Sequence, residues 1–222
     1  MRISTNTIDF QKFIFATGFA LMLCGQISVS HATPLTLAPG ASISATSEPY
    51  PAGATLLSST SQNFSSASLS GVLISSVYSG DTGNEYGLAD LTFTYEILLS
   101  ASSSDAASSI NIGNFSGFNT DVSYNPSNGG AAPTTVSRDP DGNQIVFDFG
   151  GYILPGSDSA LLVIQTDGTS FTSGSASVTD DVGTPAIPNF SPVPDKTGMG
   201  SFLLALGLLA GFGRLSKVAF NF

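Results

Sequence analysis

Positive charge is what this chain has least of. Six Lys or Arg stand against sixteen Asp or Glu in 222 residues, giving a formal net charge of −10. A chain so poor in bases has little with which to neutralise phosphates, which excludes a nucleic-acid binder. Tryptophan is absent, and the single cysteine and single histidine, Cys24 and His31, both stand in the first 31 residues. Once those residues are removed, as the N-terminal pattern predicts, no thiol or imidazole remains. Ser-His-Asp and Cys-His catalysis, His or thiolate zinc sites and disulfides are then excluded together. Phosphate and dinucleotide loops are missing too, because no GxGxxG or GxxxxGK[ST] joins a strand to a helix. No cofactor is expected.

The two ends carry the first positive signals. Arg2 and Lys12 precede an apolar run over residues 13–23, and a polar stretch then ends in Ser30-His31-Ala32. Charged, apolar and small-residue regions in that order make a secretory signal peptide. Ser30 and Ala32 fit the small pockets of signal peptidase, so residues 1–32 are expected to be a helical leader, with Thr33 the first mature residue. Leu21, Met22 and Leu23 ahead of Cys24 are too bulky for a lipoprotein signal.

At the other end, residues 185–192 form a Pro-rich stretch, expected to be an extended linker. An apolar run over 201–213 follows, then Arg214 and Lys217. Basic residues after the run favour a cytoplasmic C-terminus. Those 13 residues make only about 20 Å of helix against a hydrocarbon core of about 30 Å. Even so, apolar character all round, a terminal position and the basic flank point to a C-terminal transmembrane helix rather than a core helix.

Val193-Pro194-Asp195, then a short polar and glycine stretch, the apolar Leu/Gly/Ala-rich run and Arg214, resemble the C-terminal sorting signal of PEP-CTERM proteins in its VPD-type variant. The resemblance covers residues 193–222. It implies that the tail holds an exported protein in the inner membrane until an exosortase, a membrane-embedded cysteine protease, processes it. It further implies that Pro194 and Asp195 are recognised and that delivery is to the cell surface, the medium or the extracellular polysaccharide.

Between the ends, residues 33–184 are expected to form one domain. From 33 to 195 there are fifteen acidic residues and one base, Arg138, a net charge of −14. Apolar and small polar residues alternate with a period of two over 67–78, 88–99, 109–115, 144–149, 160–166 and 171–178. Weaker alternation runs over 41–46, 54–59, 121–124 and 133–137. Gly, Asn, Asp and Pro clusters separate these runs, as at Asp139-Pro140-Asp141-Gly142-Asn143. Eight to ten strands without helical periodicity predict an all-β fold, an antiparallel β-sandwich, with a jelly roll as the alternative. In the run around Leu91, Phe93, Tyr95 and Ile97 the other face, with Thr92, Thr94 and Glu96, is expected to be wet.

For chemistry, carboxylates remain. Two acids suffice for glycoside hydrolysis, but no local pattern singles out a pair, and a carboxylate-pair hydrolase is the least supported reading. Asp139, Asp141 and Asn143 place oxygens at alternate positions around Gly142, the arrangement of a weak Ca²⁺ loop. An Asp-Gly hairpin turn accounts for the same residues and is preferred. Sugar stacking would have to use a tyrosine among Tyr50, Tyr78, Tyr86, Tyr95, Tyr124 and Tyr152, which their strand positions assign mainly to the core. The expected function is that of a non-catalytic secreted or surface protein. A carbohydrate-binding or Ca²⁺-assisted adhesion module is the alternative.

Overall fold

The computed structural model describes residues 36–49, 51, 53–180 and 183–193. The expected leader (1–32) and apolar helix (201–213) lie outside them. The described residues form eleven strands: β1 (Ser42–Ser44), β2 (Thr55–Ser65), β3 (Ser70–Ser79), β4 (Thr92–Leu99), β5 (Ala107–Ile112), β6 (Thr120–Asn125), β7 (Thr135–Arg138), β8 (Ile145–Ile153), β9 (Leu161–Thr166), β10 (Phe171–Thr179) and β11 (Ile187–Pro192). They pair antiparallel into a six-stranded sheet, β1-β7-β8-β5-β10-β11, and a five-stranded sheet, β2-β3-β4-β9-β6. The fold is therefore all-β, in an arrangement consistent with a β-sandwich. Among the described residues no helix is long and apolar enough to cross a membrane.

Alternation places the core. Phe93, Tyr95 and Ile97 of β4, with Leu73 and Val77 of β3 and Leu162 and Ile164 of β9, are fully buried. So are Ile110 and Ile112 of β5, Val136 of β7 and Ile145 and Phe147 of β8 in the other sheet. Each such side chain contributes roughly 1.5–3 kcal/mol of transfer free energy. Phe93 meets Phe115 edge to face at 5.9 Å between ring centroids, the geometry that sets a positive ring edge against a negative face.

Two expectations change. The outer face of β4 is not wet along its length: Thr92 and Thr94 are buried. The loop between β3 and β4 folds back over it, and Asp81 accepts a hydrogen bond from Thr92 Oγ1 at 2.8 Å and one from Gln165 Nε2 at 3.2 Å. The Pro-rich segment at 185–192 is extended, as expected, but most of it is β11 rather than linker. Ile187, Asn189 and Ser191 point inward and are buried. Pro188 and Pro192 are tolerated because β11 is a sheet edge, where a missing N–H leaves no ladder partner unpaired. Tyr95 Oη donates to the Phe190 carbonyl at 2.6 Å and Ser75 Oγ accepts from Phe190 N at 3.1 Å, fastening this last strand to the opposite sheet.

Candidate functional site

Of the residues singled out in the tail, only Val193 is described. It follows β11 directly, and its N–H donates to the Ser170 carbonyl at 3.0 Å. Ser30, Ala32, Pro194, Asp195 and Arg214 lie outside the described residues.

Asp139, Asp141 and Asn143 stand on the tight β7–β8 connection. Asp139 Oδ1 accepts from the N–H groups of Asn143 at 2.6 Å and Gln144 at 3.0 Å, and its carbonyl accepts from Gly142 N at 3.0 Å. The carboxylate thus closes a turn, while Asp141 is exposed. Among the described residues no group of three or more His, Cys, Asp or Glu is arranged to hold a metal ion. These three residues make a hairpin.

Beside that hairpin lies a densely hydrogen-bonded side chain. Arg138 is 4% exposed and donates to four carbonyls: Gly142 from Nε and Nη2, Leu37 from Nη1, and Phe115 and Phe118 from Nη2, at 2.8–3.0 Å. Thr120 Oγ1 accepts from Nη1 at 3.0 Å. Burial lowers its pKa, and the charge of Asp139 works in the opposite direction. The planar fork reaches three loop segments at once, which an ammonium with three donors could not do in the same geometry. Being the only base between residues 33 and 195 is the sequence signal that could have marked it.

A second polar centre gathers around Asp81. This carboxylate is 1% exposed and also accepts from Gly83 N at 2.9 Å. Glu48 stands near it, half-buried. Burial raises the Glu48 pKa; a Ser123 hydrogen bond opposes this, and the charges of Asp81 and Glu85 add to it. Tyr86 is also raised, first by burial and then by Glu85.

The feature that strand alternation does not explain lies at the far end of β8. Asp148 pairs with Ser109 and Ile153 with Ala107, so four residues of β8 face one of β5. This wide bulge ejects Gly150, Gly151 and Tyr152. Tyr152 is 54% exposed and has φ of 57°; Asn114 is the only other non-glycine residue with positive φ among those described. Of the described tyrosines Tyr95 is fully buried, Tyr78, Tyr86 and Tyr124 are partly buried, and Tyr152 alone is exposed.

Tyr152 and Leu154, the latter 59% exposed, border an open groove of about 390 Å³ with Asn128, Gly130, Ser157 and Asp158. Its opposite wall, the loop after β6, is tightly tied down. Asn128 Nδ2 donates to Glu96 Oε1 at 2.6 Å and to the Ser159 carbonyl at 2.8 Å, and its Oδ1 accepts from Gly130 N at 3.1 Å. Ala131 N donates to the Asp158 carbonyl at 2.8 Å. Gly130 is required there, because a Cβ would lie 2.2 Å from the Ser159 carbonyl oxygen. The sequence signal for this place was Gly150-Gly151 interrupting an alternating run, since paired glycines in a strand mark a bulge. No family model, no curated protein and no solved structure matches this chain, so any functional reading rests on its residues and their geometry.

Proposed function

We propose that the chain is a non-catalytic exported protein, led out by a signal peptide cleaved after Ala32, held briefly in the inner membrane by its tail, and released to the surface by an exosortase. The observation that carries this reading is the order of parts at the C-terminus: Val193-Pro194-Asp195, the apolar run over 201–213, then Arg214. Two features of the described residues fit it. The last strand ends at Pro192, so a cut near Asp195 leaves every strand in place. The mature region also lacks His and Cys, which suits an extracellular module without nucleophile–base chemistry.

Intact-mass measurement of the protein from native cells and from their medium tests this. The expected species begins at Thr33 and ends near Asp195. A chain running through to Phe222 and confined to the membrane fraction would replace sorting with permanent anchoring.

A further inference from the structure

We propose that the groove between Tyr152 and Asp158 binds neutral sugar units of a polysaccharide, a role beyond export and sorting. The starting point is the backbone at Tyr152. A bulky aromatic at φ of 57° is an outlier, because its Cβ crowds the neighbouring peptide. Glycine would remove that crowding, and glycine already occupies positions 150 and 151. The side chain gains little structurally in exchange, since the residue is 54% exposed. Strain kept at an exposed side chain, on a bulge that re-aims it, is the mark of a contact surface.

The chemistry around the ring selects the ligand. Tyrosine presents an apolar face of the size of a pyranose and a polar edge. Asp158 and Ser157, both exposed, bring a carboxylate and a hydroxyl to the same groove, the groups that accept from and donate to sugar hydroxyls. Asn128 and Gly130 fix the facing loop before any ligand arrives, which lowers the ordering cost of binding. No Lys or Arg borders the groove, and the region from 33 to 195 carries a net charge of −14. Sulfated and uronic-acid polymers are therefore repelled and uncharged glycans are not. The groove is open, so it suits a polymer lying across it rather than a small molecule enclosed within it.

Affinity electrophoresis of the full chain, kept in a detergent without a sugar headgroup, tests this against dextran, a β-glucan and a galactomannan. At least one should retard the protein, and the retardation should persist at high salt. Y152A and D158A should each weaken it about tenfold, as expected for a lost stacking or charge-assisted contact, while Y152F stays within about threefold. Y152G should lose binding yet melt no lower than the parent, which separates a contact role from a structural one. Retardation by none of the three polymers, or unchanged retardation of Y152A, overturns the proposal. So does capture by a basic peptide alone that high salt abolishes, which would assign the groove to peptides through Asp158.

Discussion

The two ends of β8 solve opposite problems. The strand is entered from the hairpin beside Arg138, where a buried cation donates to four carbonyls and a hydroxyl. Near its other end stands Tyr152, an aromatic turned out on unfavourable backbone. At the first end polar groups left over by loop closure are satisfied, so the arrangement is explained by stability alone. At the second, conformational strain has no compensating burial. The contrast teaches where to look for a contact surface: where the fold gives up stability.

Breaking the first end should have the largest effect. Arg138→Met keeps the stem but removes the donor to the carbonyls of Phe118 and Gly142 and leaves those of Leu37 and Phe115 with only the Thr120 hydroxyl and the Phe118 N–H, and is expected to cost about 3–5 kcal/mol. Urea unfolding of the full chain followed by tyrosine fluorescence would read it, and a loss below about 1 kcal/mol would make the network ornamental. Gly130→Ala tests the groove wall. With its Cβ 2.2 Å from the Ser159 carbonyl oxygen the loop must shift, at about 1–3 kcal/mol.

Tyr152→Gly sharpens the contrast by reversing the sign. Relief of the left-handed strain, less the added entropy of glycine in the unfolded chain, should stabilise the protein by about 0.5–1 kcal/mol. Clear destabilisation in the same unfolding experiment would show that Tyr152 supports the fold instead.

The smallest effect is expected at Glu48. Its pKa is raised in the fold, so the folded state holds its proton more tightly than the unfolded one. Stability from this group is present below the unfolded pKa and is lost as pH rises through the folded value. Glu48→Gln should therefore raise Tm at neutral pH by roughly 1–2 °C and flatten the acid side of the Tm–pH curve. A lower Tm at neutral pH would mean that the charge is welcomed.

How far the sequence reveals this molecule depends on how local each cause is. Strand β4 was legible because Phe93, Tyr95 and Ile97 alternate with Thr94 and Glu96, and β9 because the short apolar run from Leu161 to Ile164 stands between turn signals; hydropathy contrast is a local property. β2 runs to Ser65, well past its expected end at Ser59, and that extension was hidden because Thr60, Ser61 and Gln62 offer no hydropathy contrast until Phe64 turns inward. β11 was hidden by prolines, whose tolerance depends on the edge position that only the assembled sheet provides. The burial of Thr92 follows from a loop folding back across the sheet, and the exposure of Tyr152 from a mismatch in length between β8 and its partner. Asp139 was read well as a turn former, since Asx hydrogen bonding acts within a few residues.

The sheet order also sets a timetable. β5 lies between β8 and β10, and β11 closes the edge beyond them, so the six-stranded sheet waits for partners made much later in the chain. A polypeptide made N-terminus first cannot finish this sheet until residue 192 has been added. Long-range pairing of this kind is slow, so closure of the sheet edge is deferred to the last strand, and a chain exported as proposed above would stay threadable until then.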